Sequence, residues 1–152
     1  MNIEIREIKS EIAVATRKEN IPSDGMLAKC EYEKILSFIA EHGAKITGAP
    51  YLYYTNPNED YTTFDMEFGI PVDKEIPTSG DFFMSKNFEG KGLIGVHTGS
   101  YTTLEETYHK MFAYVEENGV SVTGNTCYDY YLSDPAETPE EELLTQVIFP
   151  MA

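Results

Sequence analysis

The chain has little of what would commit it to a metal, a nucleic acid or a membrane. Among 152 residues there are two cysteines, Cys30 and Cys127, far apart and without CxxC or Cys/His companion spacing. That suggests neither a zinc site nor a disulfide framework, and fits a reduced, cytoplasmic setting. Basic residues are scarce: 11 Lys and Arg against 26 Asp and Glu give a net charge of −15. Such a surface repels phosphate backbones and anionic membranes and attracts cations, so direct nucleic-acid binding is not expected; solubility is the plain reading of the acidity. No apolar run reaches membrane-spanning length, and the N-terminal MNIEIREIKSEIAVATRKEN lacks an export signal's apolar run and cleavage site. Gly90, Gly92, Gly95 and Gly99 make no GxGxxG fingerprint, and Glu137 to Glu142 lacks calcium-loop spacing. No cofactor and no metal is expected.

What is present is a run of β-rich and helical segments. Ile3, Ile5 and Ile8 alternate with charged residues, and residues 11–17 follow, together reading as one strand with an offset or bulge. Pro22, Ser23 and Asp24 offer turn and capping chemistry before Leu27, Tyr32, Ile35, Leu36, Phe38 and Ile39, whose spacing predicts a helix ending at Gly43. An aromatic strand, residues 51–55, precedes residues 61–72, where Phe64, Met66, Phe68 and Ile70 share one face and Asp65, Glu67 and Gly69 the other. In the second half, residues 82–85 and 92–98 read as strands. Leu104, Tyr108, Met111, Phe112 and Val115 form a helical stripe, capped by Thr102 or Thr103 and ending before Gly119. Strands at 127–132 and 144–149 follow, with an acidic loop between them.

The halves repeat. Ile46-Thr47-Gly48 returns as Val122-Thr123-Gly124 after 76 residues, and the turn proline Pro57 returns as Pro135 after 78. The self-similarity argues for duplication: an α+β domain of two β-α-β-β modules, about 1–75 and 76–152, in a pseudo-twofold antiparallel arrangement with two main helices and a central groove.

The most suggestive stretch is SVTGNTCYDYYLSDP, residues 121–135, where Asp129 stands among tyrosines. A carboxylate on an apolar wall is costly unless neutralised, hydrogen-bonded or matched by a cation. Aligning the halves on their turn prolines pairs Tyr51 with Asp129 and Tyr53 with Tyr131; aligning the closing prolines pairs Glu67 with Gln146. The expected groove is therefore lined by Tyr51, Tyr53, Glu67, Asp129, Tyr131 and Gln146, suited to a flat apolar cation by stacking, cation–π attraction and a carboxylate partner. The plain alternative is that the tyrosines are core edge and the acids solvated. His97, at a strand end before Gly99 and Tyr101, is a candidate base or hydrogen-bonding pocket residue, the plain alternative being a structural histidine.

The duplicated modules, His97-x-Gly99-x-Tyr101, Tyr131-Leu132-x-Asp134-Pro135 and Ile70-Pro71-Val72 together resemble the GyrI-like small-molecule-binding domain, also the effector-binding part of multidrug-responsive transcription regulators. The resemblance spans about Ile3 to Met151. It implies a groove for large, often cationic or aromatic compounds. The family's acidic residue two before the tyrosine, usually glutamate, falls on Asp129, one methylene shorter and so set deeper in the wall. The acid that many members carry four before the final proline is here Gln146. The chain begins directly with its first strand, so a stand-alone member without a helix-turn-helix is expected. Some stand-alone members are hydrolases of electrophilic compounds; by that resemblance Asp129 or Glu67 would be the base, with Tyr131 or Tyr101 orienting the substrate. An acidic protein-interaction role, as in gyrase-inhibitory members, is the third reading.

Overall fold

A computed structural model describes residues 3–22, 25–60, 62–124, 126–134 and 136–151, leaving the side chains of residues 25–28 undescribed. The capping expected at Ser23 and Asp24, the packing of Leu27 and the turn at Pro135 lie outside the described residues. In chain order the elements are β1 (Ile3–Ile8), β2 (Ile12–Pro22), α1 (Gly25–Glu41), β3 (Tyr51–Thr55), β4 (Thr63–Pro71), β5 (Phe83–Lys86), β6 (Gly90–Thr98), α2 (Leu104–Asn118), β7 (Cys127–Tyr131) and β8 (Leu144–Pro150). The strands form one antiparallel sheet in the order β1-β6-β8-β7-β3-β4-β2-β5.

The first two strands correct the sequence expectation. They are not one bulged strand: β1 pairs with β6 of the second half, whereas β2 pairs with β4 and β5. The halves thus interlock, with β5 from the second half pairing on β2. Their two connections are tied together, Glu11 N–H donating to Asn87 Oδ1 at 2.7 Å and Asn87 N–H to the Glu11 carbonyl at 3.1 Å.

Both helices cover the same face of the sheet. Val14, Leu52, Met66, Phe68 and Ile70 meet Ile35, Phe38 and Ile39 of α1, while Leu93, Val147 and Phe149 meet Leu104 and Met111 of α2. Leu36, expected in the buried stripe, is exposed. Each helix is followed by a left-handed glycine, Gly43 at φ 70° and Gly119 at φ 62°, which stops the helix without a Cβ clash. Thr103 precedes α2 but makes no side-chain capping bond; instead Ser100 Oγ accepts from Thr102 N–H and caps the single 3-10 turn, Tyr101–Thr103, that leads into the helix. The other face of the sheet carries its own core of Ala13, Tyr51, Ile94, Tyr130 and Ile148, closed by Phe88 from the β5–β6 connection.

Register decides the repeat. Tyr53 pairs with Glu67 and Tyr51 with Gly69 in the first half, as Tyr130 pairs with Gln146 and Tyr128 with Ile148 in the second. Matching these pairs equates Tyr51 with Tyr128, Leu52 with Asp129, Tyr53 with Tyr130 and Tyr54 with Tyr131. The turn-proline alignment is therefore one residue out, and a one-residue slip transfers every side chain to the opposite face. Leu52 and Asp129 are also direct cross-strand partners, so the pseudo-twofold passes through that pair.

Candidate functional site

The slip divides the expected groove in two. Strand alternation from the paired registers puts Asp129, Tyr131 and His97 on the helix side of the sheet, where Tyr101 packs against Tyr131, and puts Tyr51, Tyr53, Glu67 and Gln146 on the other.

On the helix side a cleft of about 700 Å³ opens beside α2, between that helix and the ends of β3 and β4. Its walls are aromatic: Tyr54, Phe64, Tyr101, Tyr108, Phe112 and Phe149, with Glu105 and His109 also on the α2 side and Cys127 on the strand side. Phe112 and Tyr101 are 47% and 39% exposed, so large apolar surface is left open to a ligand. His109 stands 3.8 Å from Glu105 one helical turn away.

Beneath this cleft lies Asp129, 0% exposed at the central strand pair. The Tyr108 hydroxyl donates to its Oδ2 at 2.5 Å, and the Cys127 thiol stands 3.6 Å from its Oδ1. Tyr54 also hydrogen-bonds the carboxylate and reaches Tyr131, which packs edge-on against Tyr32 of α1 at 5.9 Å and Tyr101 at 5.4 Å. None of the ion pairs among the described residues involves Asp129. Burial pushes its carboxyl up to about 6, against the opposing hydrogen bonds from Tyr108, Cys127 and Tyr54. Burial, reinforced by the neighbouring carboxylate, also drives Tyr108 and the Cys127 thiol well above their ordinary values, so both keep their protons and act as donors. The result is a buried anion held by neutral donors under an aromatic cleft.

The opposite face holds a second acid. Tyr51 donates to Glu67 Oε2 at 2.6 Å and Ser85 Oγ to the same oxygen at 2.9 Å. Tyr51 is fully buried, with its ring over Gly69, where an added Cβ would lie 2.3 Å from it. Tyr53 and Tyr128 stack at 4.2 Å, and Gln146 pairs with Tyr130.

His97 is buried beneath the start of α2. Its Nε2 donates to the Ser100 carbonyl at 3.0 Å, which leaves Nδ1 to accept from Thr107 Oγ1 at 2.6 Å. That arrangement ties the 3-10 turn to the helix and leaves the ring fully engaged. The sequence expectation did not include Tyr54, Tyr108, Phe112 and Phe149 as cleft residues. Tyr108 carried a signal: a tyrosine in an apolar helical stripe requires a partner for its hydroxyl.

The family model for the GyrI-like small molecule binding domain matches residues 1–152. Among solved structures, the EcmrR C-terminal domain is similar at a TM-score of 0.80 and 20% identity over 99% of this chain and 97% of that one. EcmrR in a DNA complex matches at 0.85 and 19%, over 98% of this chain but only 56% of the longer one. SAV2435 bound to tetraphenylphosphonium aligns at 0.64 and 13% over 100% and 94%, and a hydrolase from Listeria innocua at 0.66 and 14% over 99% and 91%. No curated protein matches the chain.

Proposed function

The chain belongs to the GyrI-like small-molecule-binding family, and from that premise we propose that it binds hydrophobic aromatic cations in the α2 cleft, with Asp129 as the counter-charge. The single observation carrying this reading is the fully buried carboxylate, held among the described residues by neutral donors, directly under an aromatic-lined cleft of about 700 Å³. A buried anion without a cation is an electrostatic deficit that a cationic ligand makes good, and the volume falls within the usual range for small-molecule sites. Tyr101 and Phe112 supply ring faces for stacking and cation–π contact. The tetraphenylphosphonium bound by SAV2435 is a multi-ring cation without N–H donors and supports the broad class, hydrophobic aromatic cations. The net charge of −15 favours approach of a cation. Such a protein serves sensing or sequestration.

The test is thermal unfolding with proflavine, a planar cation. At a hundredfold excess over its Kd the ligand contributes about 2.7 kcal/mol, a rise in Tm of roughly 5 to 10 °C for a chain of this size. Asp129→Asn should lose most of that ligand-induced rise; an undiminished rise removes Asp129 from the reading.

A second reading is favoured by the Tyr51–Glu67–Ser85 cluster, where a half-buried carboxylate accepts from a phenol at 2.6 Å, an arrangement capable of general-base chemistry on an electrophile. The Listeria innocua hydrolase supports it at the level of fold. Hydrolysis of styrene oxide by the wild type, abolished in Glu67→Gln, would establish it; rates equal to background dismiss it.

A further inference from the structure

We propose that the Asp129 site selects amines that carry N–H donors over fully substituted onium cations, with Tyr108 as the internal donor that such a ligand replaces. This rests on the reading of the α2 cleft as the ligand site. It adds the chemical form of the cation.

The inference follows from what lies between the charge and the cleft. Asp129 is fully buried, while Tyr54, Tyr108 and Cys127, which hydrogen-bond it among the described residues, all belong to the cleft wall. The anion therefore faces the ligand through a layer of donors. Any cation that reaches it must displace one of them, and the Tyr108 hydroxyl, bonded to Oδ2 at 2.5 Å, is the one presented from α2. The aspartate stem is short and its strand is central in the sheet, so the carboxylate cannot rise to meet a ligand.

An ammonium N–H can take the place of the Tyr108 hydroxyl one for one, at about 2.8 Å and with full charge assistance. A quaternary ammonium cannot. Its carbon shell holds the charge away from the carboxylate, and if it displaces Tyr108 it leaves a buried oxygen without a donor. If it does not, it remains on the cleft side of the phenol. Burial keeps Tyr108 protonated, so the phenol competes with the ligand as a donor and does not act as a second anion. The other titratable groups facing Asp129 are Tyr54 on β3, Cys127 and Tyr131 on β7 and Tyr32 on α1; those with a resolved shift are raised and stay neutral.

The matched probes are 2,2-diphenylethylammonium and its N,N,N-trimethyl counterpart, which share a two-ring body and a single charge. Calorimetric titration at pH 8, where Asp129 is ionised, should show the wild type binding the primary ammonium roughly three- to tenfold tighter, the surplus of an ammonium–carboxylate contact over the phenol–carboxylate hydrogen bond it replaces. Tyr108→Phe removes the competing hydroxyl and keeps the ring; it should tighten the primary ammonium several-fold and leave the trimethyl form within about twofold. Asp129→Asn should erase the difference between the two. Equal wild-type affinities overturn the inference and leave the cleft reading standing, and so does weaker ammonium binding by Tyr108→Phe, which would make the phenol a ligand partner. If neither cation binds better than neutral 1,1-diphenylethane, the cleft reading falls with it.

Discussion

Asp129→Asn should stabilise the protein at neutral and alkaline pH while removing its counter-charge for a ligand. In the fold the carboxyl holds its proton up to about pH 6, against an ordinary value of 3.8. Between those values the folded chain binds more protons than the unfolded one, so stability falls as pH rises, and the loss is complete above about pH 6. The two values correspond to about 3 kcal/mol of penalty on the ionised form, absent below about pH 4. Asparagine escapes that penalty and keeps a carbonyl to accept from Tyr108, but its amide N–H groups must be placed beside Cys127 and Tyr54, which costs on the order of 1 kcal/mol. The expected net gain at pH 8 is about 2 kcal/mol, or roughly 4 to 8 °C in Tm. Calorimetric unfolding of both proteins from pH 4 to 8.5 measures it, since the variant-minus-wild-type difference cancels the titration of the other acidic residues. That difference should be near zero or slightly negative at pH 4 and rise through pH 6. A flat difference, or a more stable wild type at pH 8, would refute the account of Asp129 as a buried, uncompensated charge.

Two further substitutions test the supporting structure. Gly69→Ala places a Cβ 2.3 Å from the Tyr51 ring and must push it off Glu67, at a cost of about 1–3 kcal/mol; the urea midpoint should fall, and combining it with Tyr51→Ala should be less than additive. His97→Ala removes the Nδ1 partner of the buried Thr107 hydroxyl, at about 1–3 kcal/mol, while the Ser100 carbonyl keeps its bonds from Thr103 N–H and Oγ1; an unchanged urea midpoint would show that the His97–Thr107 contact holds nothing.

Much of the element order could be read in advance because alternation and helical spacing are local properties. The helix-side face of Phe64, Met66, Phe68 and Ile70 and the opposing Asp65, Glu67 and Gly69 follow from period two alone, and both helices stop at glycines that supply a left-handed turn. The α+β sheet with two helices agrees with the duplication reading, and the family match spans the chain. The separation of β1 from β2 was not readable, since nothing local tells a strand whether its next neighbour in sequence is also its neighbour in the sheet.

By itself, the sequence determined that an acid stands among aromatics at Asp129 and that the two halves carry the same landmarks in the same order. Which face that acid shares, and with whom, was decided only by the tertiary structure. The turn prolines displaced the alignment by one residue, and in a strand one residue is the difference between two sides of a sheet. Tyr51 and Glu67 consequently belong to a separate cluster, while Tyr108, read locally as helix core, is brought across to cover Asp129. Burial is a property of everything packed around a residue, so the raised carboxyl and the cleft above it exist only once α2 lies on the sheet.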